Sequence, residues 1–312
     1  MAVIAIKSRA STSWLLFFST ALLTTSALAM QTAADLVERM PLLAKQFNYS
    51  GVFSYEAADI QRSVRVSHQV VDGVAYRRIS YLDGTAKDQL HESAANDCNG
   101  TYVGGPQPRD YYRFEVLGNY RVAGRNALKV QVLPIDNLRY GHLYGIDQQT
   151  GLMLQSILIS QSGRPLENLK YIDITIDKNA QPQLASEDQP VTQSECSYER
   201  ADSHFQALQW QVDWMPPGFV RVDENVLEEG KVSLVYSDGI SVFSVLIDAA
   251  PDSKYPELVA RVGPTQMAVT NYIHNNTDYQ IVVSAEMPRV TVNQIALSVR
   301  PPAEQEKLSN DS

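Results

Sequence analysis

The 312-residue chain holds 26 basic and 35 acidic residues, a formal net charge of −9, and an aliphatic and aromatic share of 44%. That share is enough to fill real cores, so a chain disordered over most of its length is excluded. The acidic balance argues against nucleic acid as a partner, because phosphate binding draws on a basic surface.

Lys7 and Arg9, the apolar run from Trp14 to Leu23 and Ala27-Leu28-Ala29 follow the charge, core and small-residue order of a cleavable secretory signal over residues 1–29. The run is too short to remain in a bilayer as a spanning helix, which takes about 20 residues. The mature chain is expected to begin near Met30, to be soluble and, with no cysteine at the cleavage site, to carry no lipid anchor. Cleavage removes Lys7 and Arg9 but no acid, so 24 basic residues then face 35 acidic ones and the net charge becomes −11. The 283 residues that remain of the 312 exceed one typical domain of about 100–200, so two domains are expected. Two cysteines, Cys98 and Cys196, leave the reducing cytosol. Export permits a disulfide between them, worth about 4–5 kcal/mol in the chain-entropy model, but spacing does not show that the sulfurs meet.

Thr32-Ala-Ala-Asp35 resembles a capping box, and Leu36, Val37, Met40, Leu43, Ala44 and Phe47 recur at helical spacing. An amphipathic helix follows, bent or broken near Pro41. From Tyr49 the period changes to two. Tyr49, Gly51, Phe53 and Tyr55 share one strand face, Val64, Val66, His68 and Val70 another, with turn signals at Asp72-Gly73 and Asp83-Gly84. Strands are expected again at 112–117, 125–133, 139–147, 152–160 and 168–177, an antiparallel meander rather than βαβ units. Residues 179–205 lose the period and gain Gln, Ser, Asp and Pro, as a linker does. Beyond it come a short strand ending at Pro216-Pro217-Gly218, a hairpin over 231–248, strands near 266–273 and 279–286, a helix from about Thr291 and a frayed tail over 303–312.

The five histidines have no metal-ligand spacing, and no nucleophile elbow, zinc-protease motif or phosphate loop occurs. No catalytic residue, metal or cofactor is assigned, although a dispersed Ser/His/Asp site is not excluded by spacing. Arg62, Arg65, Arg77 and Arg78 lie in adjacent strands, where a solvated face is the simpler reading than a site for anionic head groups. In the hairpin, a two-residue turn at Asp238-Gly239 would set Ser237 against Ile240, Tyr236 against Ser241, Val235 against Val242 and Leu234 against Phe243. Val232, Leu234, Tyr236, Phe243 and Val245 then form a core face, with Val235, Ile240 and Val242 left on the other.

"WQVDWMPPGF" at 210–219, "YSDGISVFSV" at 236–245 and "IVVSAEMPRVTVNQIALSV" at 281–299 resemble the hallmark stretches of the RseB/MucB family, periplasmic negative regulators of sigma-E (AlgU) activity. "NYSGVFSYEAADIQRSVRVSH" and the middle of the chain, from "YRFEVLGNYRV" to "ENLKY", fit in order and spacing, so the likeness covers about residues 32–300. The resemblance implies an α+β protein without catalytic activity. A large antiparallel half-barrel with covering helices, similar to LolA and LolB, would occupy 30–178 and sense lipid; a smaller C-terminal α+β domain over 206–302 would bind the partner. It further implies binding to the periplasmic region of an RseA/MucA-type anti-sigma factor, protection of that region from proteolysis, release by lipopolysaccharide or another acyl-chain ligand, and dimers. On that reading Phe53, Val66 and Leu143 are the candidate lipid-cavity residues and Trp214, Tyr236 and Phe243 the candidate partner surface. Three departures stand out. The stretch from Leu90 to Tyr112 is shorter than in the family, Ala285 replaces the usual Gly before Glu286-Met287-Pro288, and Gly145-Ile146-Asp147 replaces a pattern that includes Trp. A LolA-like lipid or lipoprotein carrier is the competing expectation, and a secreted hydrolase with a dispersed site a third.

Overall fold

The structure, a computed structural model, describes residues 32–58, 60–71, 74–84, 89–94, 107–177, 210–227, 231–249 and 255–301. The expected signal segment, linker and tail lie outside them, as do Cys98 and Cys196.

Thr32 caps the helix α1 (Ala33–Gln46): its hydroxyl accepts from the Asp35 N–H at 3.2 Å, while the Asp35 carboxylate accepts from the Thr32 N–H at 2.8 Å. Of the expected bend or break near Pro41, the break does not occur. The helix runs through that residue, which sits on the exposed side, to Gln46. The ring removes one backbone bond, and burial of the face holding Ala34, Val37 and Met40 outweighs that loss.

Nine strands follow: β1 (Tyr49–Ala57), β2 (Ile60–Val71), β3 (Val74–Tyr81), β4 (Gln89–Ala94), β5 (Tyr112–Val122), β6 (Arg125–Pro134), β7 (Gly141–Asp147), β8 (Met153–Ile159) and β9 (Pro165–Ile176). They make one antiparallel sheet in the order β4-β3-β2-β1-β9-β8-β7-β6-β5. Two meanders are thus joined where the first strand pairs with the last. The described sheet stays open at β4 and β5, which fits a half-barrel. One cluster, Val130, Val132, Tyr144 and Ile146 with Val37 and Met40, packs the sheet against α1; a second gathers Val66, Val122, Leu154, Tyr171 and Ile174.

A second sheet comprises β11 (Val220–Val226), β12 (Val232–Ser237), β13 (Val242–Ala249), β14 (Leu258–Val262), β15 (Thr265–His274) and β16 (Thr277–Ala285), in the order β11-β12-β13-β16-β15-β14. The short β10 (Gln211–Val212) pairs with β17 (Val299–Arg300) at the end of α2 (Arg289–Ser298). Val292, Ile295 and Ala296 of α2 close a core with Leu234, Val245, Ile281 and Val283. Two of these strands, β11 and β14, are absent from the sequence reading. Both are sheet edges, where charged and exposed residues such as Arg221, Asp223, Glu224 and Arg261 interrupt the apolar alternation.

The hairpin register differs from the expected one. Ser237 pairs with Val242, Tyr236 with Phe243 and Leu234 with Val245, so the connection has four residues, Asp238 to Ser241. Asp238 sets this length: its Oδ1 accepts from the N–H groups of Ile240 at 3.0 Å and Ser241 at 2.7 Å, and its own N–H donates to the Ser241 carbonyl at 3.2 Å. A shift of two places preserves the faces, and Val232, Leu234, Tyr236, Phe243 and Val245 are buried together as expected.

Candidate functional site

The tip of this hairpin does not end in solvent. Asp238 is fully buried against the nine-stranded sheet, beside Arg139 from the segment between β6 and β7, which is equally buried. Arg139 Nε donates to Asp238 Oδ2 at 2.7 Å, and its terminal nitrogens donate to the Asp136 carboxylate and the Pro217 carbonyl. The Tyr112 hydroxyl donates to the same Asp238 oxygen at 2.8 Å and lies 3.0 Å from Ser241 Oγ. Rings of Tyr111, Tyr112 and Phe219 stand 5.3, 5.7 and 5.3 Å from the guanidinium carbon. Burial pushes the Tyr112 hydroxyl well above its ordinary pKa, and the Asp238 charge adds to the shift, so it acts as a fixed donor. Gly218 completes the joint. Its φ is +91°, and a Cβ there would sit 2.2 Å from the Tyr111 ring, so the small unit's 216–218 turn lies flush on the large sheet.

Beside the joint is an open cleft of about 330 Å³, lined by His142 from β7, by Ile240, Ser241 and Val242 from the hairpin, and by Thr265, Ser284, Ala285 and Glu286. His142 stacks on Tyr144 with centroids 5.3 Å apart. Burial holds its pKa down to about 4, so the ring is neutral near pH 7, and Nδ1 is buried without a hydrogen-bond partner. Glu286 is exposed at the rim of the cleft, where partial desolvation by the walls, helped by the charge of Glu167, pushes its carboxyl up to about 7. Burial also raises Glu167 on β9, which accepts from the Tyr55 hydroxyl at 2.9 Å.

The candidate cavity residues are partly assembled. Val66 is buried and Phe53 packs into the same cluster, its ring 5.6 Å from and edge-on to Tyr171. Leu143 is half-buried and belongs to neither cluster; it pairs with Gln131 and Ile157, on the alternate side of its strand from Tyr144. The candidate partner surface needs correction. Tyr236 and Phe243 are 3% and 1% exposed and stack on each other 4.8 Å apart, because they face each other across β12 and β13 on the core side. Trp214 alone of the three is half-buried, at the edge of that core. The four arginines do not share a face: Arg78 pairs with Ser67 and Arg77 with His68, on alternate sides of the ladder.

Arg139, Tyr112, Asp238 and Glu286 were not singled out by the sequence reading. Asp238 had a sufficient local explanation as a turn residue, and its partner is 99 positions away. Among the described residues no three His, Cys, Asp or Glu side chains converge as a metal site, and no described helix is long and apolar enough to cross a membrane.

Comparison with known proteins gives a consistent result. The models of the MucB/RseB N-terminal domain and C-terminal domain match residues 32–102 and 102–192, and residues 204–300, respectively. The chain is 27% identical over 300 residues to the sigma factor AlgU regulatory protein MucB of Pseudomonas aeruginosa, covering 88% of this chain and 93% of that protein. It is 24% identical over 292 residues to the sigma-E factor regulatory protein RseB of Haemophilus influenzae, covering 86% and 91%. The crystal structure of MucB in complex with MucA(peri) superposes with a TM-score of 0.65 at 25% identity, over 87% of this chain and 100% of that one.

Proposed function

The chain belongs to the MucB/RseB family, and from that premise we propose that it is a non-enzymatic periplasmic regulator that binds the periplasmic region of an RseA/MucA-type anti-sigma factor. Held there, it shields the anti-sigma factor from regulated proteolysis and so restrains the envelope-stress response. The observation that carries this reading is the likeness along most of the chain to a MucB that was solved as a complex with MucA(peri). The buried joint supports it physically: with Arg139 holding the hairpin tip and the 216–218 turn, the two sheets offer one continuous platform.

The half over 30–178 would sense lipopolysaccharide or another acyl-chain ligand, using the open sheet near Phe53 and Val66, and the half over 206–302 would hold the partner. Lipid releases the partner only if it favours an arrangement that binds the partner poorly. The test is to co-purify the mature chain with the periplasmic part of the host's candidate anti-sigma factor, with and without lipopolysaccharide. A stable complex that lipid dissolves is expected. A complex indifferent to lipid would overturn the sensing, and no complex would overturn the regulator and favour a lipid carrier.

A further inference from the structure

The cleft beside the joint carries a charge that no described side chain neutralises. Glu286 lines it, is exposed, and makes neither a hydrogen bond nor an ion pair with any described residue. The other carboxylate in electrostatic reach, Glu167, is bonded to the neutral Tyr55 hydroxyl and adds to the negative charge. Arg139, in the adjoining joint, donates from each of its three nitrogens to Asp238, Asp136 and Pro217. His142 is neutral and supplies no compensating charge; its buried Nδ1, without a partner, marks the same cleft as a place whose polar groups are incompletely satisfied.

The walls say what kind of cation fits. Ile240, Val242 and Ala285 line the cleft beside Glu286, and Val242 is 51% exposed on the face of β13 away from the core. An apolar wall leading to an isolated carboxylate matches a long basic side chain, whose methylene stem covers apolar surface while its head stays polar. A bound metal ion does not fit, since no three ligating side chains converge among the described residues. The volume, about 330 Å³, lies at the small end of ligand sites, which run from about 300 to 1,000 Å³. One anchoring side chain, rather than a whole peptide, is what it can enclose.

We propose that this cleft is the socket for a lysine or arginine of the anti-sigma segment, with Glu286 as its counter-charge and Ile240 and Val242 as the wall for its stem. The inference rests on the partner-binding function proposed above and adds to it the chemistry of one contact. It also predicts a proton linkage. Glu167, Tyr55 and Tyr144 are in electrostatic reach of Glu286, and His142 lines the same cleft. Arg261 on β14 pairs with Gln266, itself opposite Ala285, and Arg289 begins α2, but neither forms an ion pair with Glu286 among the described residues. A cation entering the cleft therefore pulls Glu286 down from about 7 and expels its proton. Affinity should therefore rise from pH 6 to pH 8.

The test measures the affinity of the mature chain for the periplasmic anti-sigma segment by calorimetry at pH 6 and pH 8, for the natural sequence, Glu286→Gln and Glu286→Lys. The denaturation midpoint of each variant establishes that it folds. Glu286→Gln should weaken binding about tenfold at pH 8 and remove the pH dependence, and Glu286→Lys should weaken it about a hundredfold. Reversing one lysine or arginine of the segment to glutamate should then restore binding to Glu286→Lys. Folded variants that bind as tightly as the natural chain, or a Glu286→Lys defect that no reversal in the segment rescues, would overturn the socket while leaving the regulator intact. No binding by the natural chain would overturn both.

Discussion

Arg139→Ala is expected to destabilise the protein by about 3–5 kcal/mol, the cost of leaving one partner of a buried ion pair alone. Arg139 and Asp238 are both 0% exposed, so water cannot replace the lost guanidinium. Asp238→Asn keeps the shape but still fails. Each carboxylate oxygen accepts from two donors, Oδ1 from the Ile240 and Ser241 N–H groups and Oδ2 from Tyr112 and Arg139. Whichever way the amide is turned, its NH2 meets groups that also need to donate, at about 1–3 kcal/mol for each buried group left unpaired. Arg139→Met removes the donor that asparagine cannot serve. The amide can then donate to the Tyr112 oxygen while Tyr112 donates to Ser241, whose Oγ is already 3.0 Å away. The double variant Arg139→Met, Asp238→Asn should therefore cost about 2 kcal/mol less than the sum of the singles. Urea unfolding of the mature chain at pH 7, followed by the fluorescence of Trp210 and Trp214, gives all four corners of the cycle. Single variants within about 1 kcal/mol of the natural chain, or strict additivity, would refute the view that the joint is a buried, coupled network.

The remaining expectations concern the cleft and one tight approach. Glu286 has a folded pKa of about 7, above the ordinary 4.5, so its contribution is fully present below pH 4.5 and is lost as pH rises through 7. Glu286→Gln should accordingly flatten the fall in stability between pH 4.5 and 7, read as the denaturation midpoint against pH. His142 has the opposite sign: its pKa is held down to about 4 from 6.5, so it destabilises the fold as pH falls through that window. His142→Phe keeps the stack on Tyr144, removes the unpaired Nδ1 and should raise the midpoint at pH 5, by about 1–3 kcal/mol in free energy. Gly145→Ala would place a Cβ 2.1 Å from the Tyr120 hydroxyl, breaking its 3.1 Å bond to Gln155. A cost of about 1–3 kcal/mol is expected in thermal or urea unfolding, as for other overpacked sites.

What could be read along the chain was what repeats locally. The capping box of α1, the period-two runs of β1 and β2, the strand spacing of β5 to β9 and the core face of the hairpin are each encoded within a few residues of themselves, whereas β11 and β14 are edges whose charges interrupt the period. The candidate partner surface failed for a related reason. Tyr236 and Phe243 stood out as large aromatics, but alternation says that two residues share a face and does not say whether that face meets a core or a partner.

Asp238 shows the limit most sharply. In sequence it is the first residue of an Asp-Gly turn, and that role is real, since Oδ1 fixes the four-residue connection through Ile240 and Ser241. A turn aspartate at a solvent-exposed tip would leave its second oxygen to water. Here Oδ2 instead meets Arg139 and Tyr112 from a sheet built from the other half of the chain. A buried carboxylate needs a buried cation to be tolerable, and a cation 99 positions distant in sequence leaves no periodic trace. The hairpin tip thus fixes one sheet against the other and helps to line the cleft in which no described side chain pairs with Glu286.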